Sequence, residues 1–468
     1  MTTRRIEIGF IGGAYEGPST NIDAQTCQNL YAIVDQNSGK SVLALRGTPG
    51  MKEWYDSGSV GECRGYLLWN DSLYVVIGAS LIKMATDATG TTVGTLGTTE
   101  GRVWMAGGTV NLCLVDGSKG YYQTKTATSL TEITDVDFPV PTSLAYQDGY
   151  FIVTEKDSDT FYISASEDAS SWGGLDWASA EDTPDDAIAL VSHRREIHII
   201  GEQTKEVFYN SGNSTFPFTR IPNSVIPIGF GAIESIAHGD EGLFWLDDGY
   251  RPRMGVGYDA VPIAPEQIEY QIQQYDEKSD AVGYVYSQEG HSFYVLTFPT
   301  AQKTWAFDIT TGIWHTRAYG VPEIRHRAQW ATWFAEKVIV GDYANGKLYE
   351  FDFSTYTDVG GVIRRRRTAQ PTHSGRDLIS FASFELEFES GVGLVTGQGN
   401  DPQAMLDWSD NGGHTWGNEH WADIGEIGNY KTRVIWRRLG KSRGRIFRVS
   451  ITDPVKVIII GAYLGGGV

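Results

Sequence analysis

The sequence has little cysteine. Among its 468 residues only Cys27, Cys63 and Cys113 occur, and they lie far apart. An odd number of widely spaced cysteines excludes a disulfide framework, and thiols that sit among apolar residues are expected to be reduced and buried. The nine histidines show neither His-x-x-x-His nor His-Glu-x-x-His spacing. We therefore expect no metal site.

Long hydrophobic runs are also lacking. No stretch approaches the roughly 18 apolar residues that a transmembrane helix needs, and the opening MTTRRIEIGFIGG lacks the apolar core of a secretory signal. Gly-x-Gly-x-x-Gly, Gly-Lys-Ser/Thr and Gly-x-Ser-x-Gly motifs are missing too, which argues against nucleotide hydrolysis and the commonest hydrolase elbow. We predict no membrane span, folding in a cytoplasm, no catalytic residues and no cofactor.

Glycine and aromatic residues, by contrast, are abundant. The chain contains 55 glycines, 24 tyrosines and 14 tryptophans, a composition typical of many short strands joined by tight turns. Helical periodicity is clearest at residues 266–274, directly after Pro265, and predicts one local helix inside a β fold.

One pattern recurs seven times between residues 64 and 353: a polar turn followed by a short apolar run. The runs cover residues 73–77, 112–115, 150–153, 197–200, 243–246, 293–296 and 338–340. Repeats of about 40–50 residues with several short strands each are typical of a β-propeller. We predict an all-β fold with a propeller of six or seven blades over residues 61–361. Residues 1–60 are expected to close this propeller or to join the C-terminal module.

The last part of the chain, residues 362–468, has a different character. Residues 384–389 alternate strictly between apolar residues and glutamate, which predicts a strand with one face in a core. We predict a small antiparallel β-sandwich or barrel. From residue 361 onward the chain has 14 basic and 11 acidic residues, whereas the rest has 24 and 47. A strongly acidic body argues against wrapping nucleic acid, although it would let nucleic acid pass.

Ser409 begins the sharpest local motif, SDNGGHTW, which resembles the Asp-box turn of sialidase propellers with Asn411 in the place of aspartate. We predict a hairpin in which Asn411 caps backbone N–H groups, Gly413 takes a positive φ and Trp416 packs over the turn. The turn is structural and implies no activity.

Four consecutive arginines at residues 364–367 form either a solvated strand edge or a contact for an acidic protein partner. Further arginines thicken the basic character near residues 433–448, and arginine is favoured at protein interfaces. Our candidate partner-docking residues are Arg364, Arg365, Arg366, Arg367, Arg437, Arg438 and Arg448.

A glycosidase would need two carboxylates flanking one bond. Asp247, Asp248, Glu202 and Glu206 are available, but none lies in a recognisable catalytic setting, and a turn is the simpler interpretation of Asp247 and Asp248. The glutamates of residues 385–389 are better explained by a solvated strand face than by a cation site.

Several stretches are similar to one known family. They include FYISASEDASSW (161–172), GEQTKEVFYNSG (201–212), GHSFYVLTFP (290–299), TWAFD (304–308) and YKTRVIWRRLG (430–440). Through these stretches the chain resembles the tail nozzle proteins of short-tailed bacteriophages, also called packaged-DNA stabilisation or tail accessory proteins. The likeness covers most of the chain from about residue 145 onward.

The resemblance implies a structural virion protein, assembled in the host cytoplasm as a homo-oligomeric ring, a hexamer, below the portal and the head-to-tail adaptor. Such a ring extends the DNA channel without sequence-specific binding, retains packaged DNA and carries tail fibres or spikes and a needle. Two alternatives stay open: a sialidase-like glycoside hydrolase, which needs an arginine cluster at the propeller centre, and a cytoplasmic hub that binds peptides.

Overall fold

The computed structural model of the chain describes residues 5–34, 43–180, 185–375 and 377–467. Almost all of its regular structure is β. The N-terminal segment contains β1 (Arg5–Ile8), β2 (Tyr15–Glu16), β3 (Ala24–Gln25), β4 (Cys27–Gln28), β5 (Leu30–Val34), β6 (Leu43–Gly47) and β7 (Gly50–Asp56).

Four-stranded antiparallel units follow one another along the next part of the chain. Unit 1 consists of β8 (Cys63–Trp69), β9 (Ser72–Ile77), β10 (Ser80–Met84) and β11 (Gly90–Thr95), and unit 2 of β12 (Trp104–Gly107), β13 (Asn111–Val115), β14 (Gly120–Thr124) and β15 (Thr131–Glu132). Unit 3 consists of β16 (Pro141–Gln147), β17 (Tyr150–Glu155), β18 (Thr160–Ala165) and β19 (Asp168–Ser179). Unit 4 consists of β20 (Ala187–His193), β21 (Glu196–Gly201), β22 (Lys205–Asn210) and β23 (Phe218–Arg220).

Units 5 to 7 continue the series. Unit 5 consists of β24 (Ala237–His238), β25 (Leu243–Leu246), β26 (Pro252–Val256) and β27 (Asp259–Pro262). Unit 6 consists of β28 (Val282–Gln288), β29 (His291–Phe298), β30 (Lys303–Asp308) and β31 (Ile313–Tyr319), with β32 (Ile324–Arg325) beside β31. Unit 7 consists of β33 (Ala328–Phe334), β34 (Lys337–Asp342) and β35 (Lys347–Asp352), and its fourth strand is β7. The helix α1 (Glu266–Gln273) lies between units 5 and 6 and follows Pro265, as predicted.

The repeated sequence pattern has a direct structural cause. Each of the seven apolar runs lies in the second strand of a unit, where both faces are covered by neighbouring units, so the prediction is confirmed. The polar turn before several runs is a two-residue hairpin loop. In unit 1, Asn70 and Asp71 have φ of 49° and 58°, and two successive positive φ values are what a type I′ turn requires.

The units form a closed ring. The first strand of each unit faces the centre, and β33 of unit 7 contacts β8 of unit 1. At this seam the Trp330 indole N–H donates to the Cys63 carbonyl at 3.1 Å. A Cβ added at Gly341 would lie 2.3 Å from Trp330 Cε2, so only glycine fits against that indole ring. The fold is a β-propeller whose last unit is completed by the N-terminal segment.

The rest of the chain forms two stacked sheets. Before them, β36 (Thr357–Asp358) and β37 (Gly361–Val362) extend the sheet of unit 7 beside β7. From the rest of the chain, the two stacked sheets contain β38 (Arg365–Thr368), β39 (Thr372–His373), β40 (Ile379–Phe388), β41 (Gln403–Ser409), β42 (His420–Asp423), β43 (Val434–Arg437), β44 (Lys441–Ser442), β45 (Gly444–Ile451) and β46 (Ile458–Gly467). One sheet has the order β43-β40-β46-β6-β5, and the other continues from β31 of the propeller through β4, β38, β45 and β41 to β42.

Aromatic packing joins the two sheets into a sandwich. The Phe447 ring of β45 lies 5.4 Å from the ring of Phe381 and 5.0 Å from that of Phe384, both in β40. Phe384, Leu386 and Phe388 are buried, which confirms the alternation predicted for residues 384–389. The same apolar core continues into units 5 and 6, so the sandwich and the propeller share buried surface through β4 and β38.

Candidate functional site

The four-arginine run lies in β38, between β4 and β45. Arg365 and Arg367 are only 2% and 0% exposed. The prediction that they lie on a solvated strand edge is therefore wrong for these two residues. The strand is central in its sheet, so alternate side chains must point into the shared core. Arg364 and Arg366 point the other way, and both pair with Glu323.

The Arg367 guanidinium forms its hydrogen bonds within the chain. Its guanidinium donates to the carbonyl oxygens of Phe10 and Gly13 and to Gln25 Oε1, each at 2.6 Å, and to the Thr26 carbonyl at 3.3 Å. Four acceptors in a buried setting compensate the loss of hydration of the cation. Arg367 is therefore a structural brace between the N-terminal segment and the sandwich.

Arg365 differs from Arg367 although it is equally buried. Its Nε and Nη1 have no hydrogen-bond partner among the described residues, and its guanidinium packs on Gly47, where an added Cβ would lie 2.7 Å from Nε. Burial lowers the pKa of Arg365 to about 10, and the negative charge of Asp358 opposes this shift. At neutral pH the side chain is thus a buried cation.

The other candidate docking residues are more accessible. Arg437 and Arg438 are exposed at the end of β43. Arg448 is half-buried, forms an ion pair with Asp407 and lies 3.8 Å above the Trp416 ring. Only Arg437 and Arg438 of these three present a guanidinium to solvent, and their docking role remains a prediction.

The motif that begins at Ser409 folds as a tight turn after β41. Ser409 Oγ accepts the Gly413 N–H at 2.9 Å, and Asn411 Oδ1 accepts the Thr415 N–H at 2.9 Å. Gly413 has φ of 92°. Trp416 is held under the Arg448 guanidinium. All of these groups serve the turn itself.

Among the four candidate glycosidase carboxylates, Glu202 and Asp248 are exposed, and Asp247 and Glu206 have structural partners. Asp247 is buried and accepts from Arg253 Nε at 2.7 Å and from the Arg251 N–H at 2.8 Å. Glu206 is buried and pairs with Arg220 at 3.2 Å. The described residues contain no group of three or more His, Cys, Asp or Glu side chains that could hold a metal ion.

The glutamates of β40 and its end are also engaged in ion pairs or hydrogen bonds. Glu385 pairs with Arg5 and Arg433, each at 2.7 Å. Beyond the strand, Glu389 pairs with Lys456 at 2.8 Å. Glu387 accepts the Tyr463 hydroxyl at 2.8 Å. Because each carboxylate has its own partner, they do not converge on one ion.

The centre of the propeller contains a cavity of about 490 Å³, lined by the first strands of all seven units. Arg64 at its wall donates to the backbone carbonyls of Gly78, Thr98, Glu100 and Gly101. Arg102 donates to the Glu234 carbonyl at 3.0 Å and lies 4.2 Å above the Trp104 ring. These two arginines brace the backbone and do not form the open cluster that a sialidase-type site needs.

Glu62, near this centre, has a carboxyl group with a shifted pKa. Burial raises its pKa, and the neighbouring Glu234 adds to the shift. A raised carboxyl pKa is a feature of some catalytic acids, but the same shift follows from a half-buried position beside the acidic Glu234, which the charge of Arg64 only partly offsets. We assign Glu62 no catalytic role.

The sequence did carry a signal for the buried arginines. Ile363, Arg365 and Arg367 alternate with Arg364 and Arg366, which is the period of a strand. The acceptors of Arg367 come from the N-terminal segment, however, and no pattern around residue 367 indicates that they are close.

Comparison with known families gives two matches. A model described as the β-propeller of bacteriophage P22 Gp10 matches residues 6–356, and a model described as the β-sandwich of the same protein matches residues 367–465. Comparison with curated proteins finds no match.

Solved structures show only distant likeness. The WD40 domain of Neurospora crassa Pan2 is 8% identical, with 65% of this chain and 95% of that chain covered and a TM-score of 0.41. The extracellular domain of BT4673 from B. thetaiotaomicron, a putative hybrid two-component system, is 9% identical, with 74% and 45% covered and a TM-score of 0.45. Scores this low carry no argument about function. Among the described residues no helix is long and apolar enough to cross a membrane.

Proposed function

The chain belongs to the bacteriophage P22 Gp10 family of phage tail structural proteins, and we propose that it forms a ring-shaped tail nozzle assembled in the host cytoplasm. In this proposal the ring extends the DNA channel below the portal and its adaptor, retains packaged DNA and carries tail fibres or spikes. The observation that carries the proposal is that both family models together cover almost the whole chain.

The size of the central cavity is consistent with a conduit formed between subunits. A volume of about 490 Å³ lies in the range of small-molecule pockets, roughly 300–1,000 Å³. Duplex DNA is far larger, so it does not thread the propeller of one subunit. The channel of the proposed nozzle is therefore enclosed by several copies, each docking one surface on a different surface of its neighbour.

Charge supports the same proposal. The chain has a net charge of −20, and acidic side chains repel phosphates. Walls of this charge would leave DNA mobile during ejection. The exposed Arg437 and Arg438 of the sandwich are the described candidates for contact with an acidic tail partner.

Light scattering after size-exclusion chromatography, followed by negative-stain imaging, tests ring formation. We expect a closed ring, alone or after addition of the portal–adaptor complex of the same phage. A subunit that stays monomeric under both conditions contradicts the nozzle. A sialoside-hydrolysis assay on the same sample addresses the enzymatic alternative, and turnover there would replace the structural proposal.

A pair of charge reversals tests the docking surface. We expect R437E/R438E to weaken binding to the tail partner at least tenfold while leaving the fold intact. R194E/R195E is the matched control, because Arg194 and Arg195 are also two adjacent exposed arginines but lie in the propeller. Equal effects of the two variants would contradict a role specific to the sandwich.

A further inference from the structure

A second cavity, of about 650 Å³, lies where unit 7 meets the strands of the sandwich. Its wall combines aromatic and apolar side chains, such as Phe351 and Phe353, with charged ones, and it includes Arg365. Pockets of this size with a few placed polar groups are typical of binding sites. The functions discussed above do not use it.

Arg365 is the unusual member of this wall. It is 98% buried, and within the described ranges its Nε and Nη1 have no hydrogen-bond partner. The main negative charge that acts on Arg365 is that of Asp358, but Asp358 Oδ1 accepts the backbone N–H of Met51 at 3.2 Å. An isolated buried cation is costly unless a counter-charge compensates it.

The other cations of the cavity do not share this deficit. Each has a carboxylate partner: Arg46 with Glu289, Lys337 with Glu350, and Lys456 with Glu389. Arg365 is therefore the cation of this cavity that lacks a carboxylate partner among the described residues, and one negative charge would balance it.

Gln288, in the same wall, also has a buried polar atom without a hydrogen-bond partner. Its Nε2 donates to the Phe351 carbonyl at 2.8 Å, whereas its Oε1 is buried and has no partner in the described chain. This oxygen accepts a hydrogen bond, so an occupant that carries an N–H donor as well as a carboxylate satisfies both residues. A polypeptide segment with an acidic residue has these two groups.

The acidic residues of the wall restrict the kind of anion. Glu289, Glu336, Glu350 and Asp352 all line the cavity. They disfavour a phosphate dianion or a nucleic-acid backbone, each of which would bring more negative charge than Arg365 can balance.

We propose that this cavity is a receptor for one carboxylate, supplied by an aspartate or glutamate side chain of a neighbouring protein in the tail. The carboxylate accepts from the Arg365 guanidinium, and the aromatic wall covers the apolar part of the incoming side chain. The choice of a tail protein as the source rests on the proposed function. The carboxylate chemistry rests on the cavity alone.

Calorimetric titration of the full chain with N-acetyl-glutamate amide, acetate and inorganic phosphate at constant ionic strength tests the receptor. We expect the glutamate probe to bind more tightly than acetate, and phosphate not to bind. R365Q should weaken the glutamate probe at least tenfold, because a charge-assisted hydrogen bond is lost. R364Q is the matched control from the neighbouring position, where the arginine pairs with Glu323, and should bind like the parent.

A second variant covers the case in which R365Q does not fold. Ser354 is exposed and lines the cavity, so S354W fills the space without changing the core and should abolish binding. Binding of phosphate as tightly as the glutamate probe, undiminished binding by S354W, or no binding of any carboxylate would overturn the proposal. None of these results bears on ring formation, which is measured separately.

Discussion

Two arginines of one strand, Arg365 and Arg367, are equally buried but differ in their hydrogen bonding, and this predicts opposite effects of the same substitution. Met is close in length to Arg and carries no charge. R367M leaves the carbonyls of Phe10 and Gly13 and the Gln25 amide oxygen without their Arg367 donor, whereas the Thr26 carbonyl keeps the Thr368 N–H. R365M removes no hydrogen bond that the structure describes.

The magnitudes follow from the cost of unsatisfied groups. A buried acceptor that loses its partner costs about 1–3 kcal/mol. Effects within one network do not add fully, so R367M should lower the free energy of unfolding by about 3–5 kcal/mol. R365M should change it by less than about 1 kcal/mol or raise it, because an uncompensated buried cation is replaced by an apolar side chain.

Urea titrations at pH 7, followed by tryptophan fluorescence and in parallel by hydrogen exchange of β38, measure both variants. R364Q serves as the reference, since Arg364 lies in a partly exposed ion pair with Glu323, and such pairs contribute only about 0–1 kcal/mol. A loss for R365M as large as that for R367M would refute the reasoning, because the two arginines would then be equivalent.

Three further substitutions have defined outcomes. Burial raises the pKa of Asp358 to about 7 against an ordinary 3.8, with Arg365 opposing the shift. Between about pH 4 and 7 the native state therefore holds a proton that the unfolded state has lost, so the free energy of unfolding falls as the pH rises through this range. In urea titrations at pH 5 and pH 8, D358N should show a smaller difference in stability than the parent. G341A should lower the melting temperature through a cost of about 1–3 kcal/mol, because the new Cβ meets the Trp330 ring. E385Q should accelerate hydrogen exchange in β1, which its carboxylate anchors, while global stability changes by less than about 1 kcal/mol.

Local patterns predicted much of the fold. The seven apolar runs identified the second strand of each unit because these strands are covered on both faces, and the alternation around Phe384 identified a strand with one buried face. The fourth strand of unit 7 could not be found in this way. Its partner in the sheet lies about 300 residues away along the chain, with Lys347 opposite Asp56, and nothing in residues 50–56 specifies that pairing.

The arginines show the same limit at the level of the site. Four charged residues in a row predict solvent exposure, but Arg364 and Arg366 are only partly exposed, and Arg365 and Arg367 are buried. Whether Arg367 is buried depends on carbonyl groups of Phe10 and Gly13, which the fold brings together from the far end of the sequence. Composition therefore indicated a basic module, but it could not separate the internal braces from accessible guanidinium groups.

The placement of β7 has a consequence for synthesis on the ribosome. This strand leaves the exit tunnel early, yet its partner β35 is translated almost three hundred residues later. Until then β7 lacks its partner along one hydrogen-bonding edge, and unpaired edges of this kind can pair with other nascent chains. A chain that ends before β35 cannot close its propeller, so only subunits translated past this point can assemble.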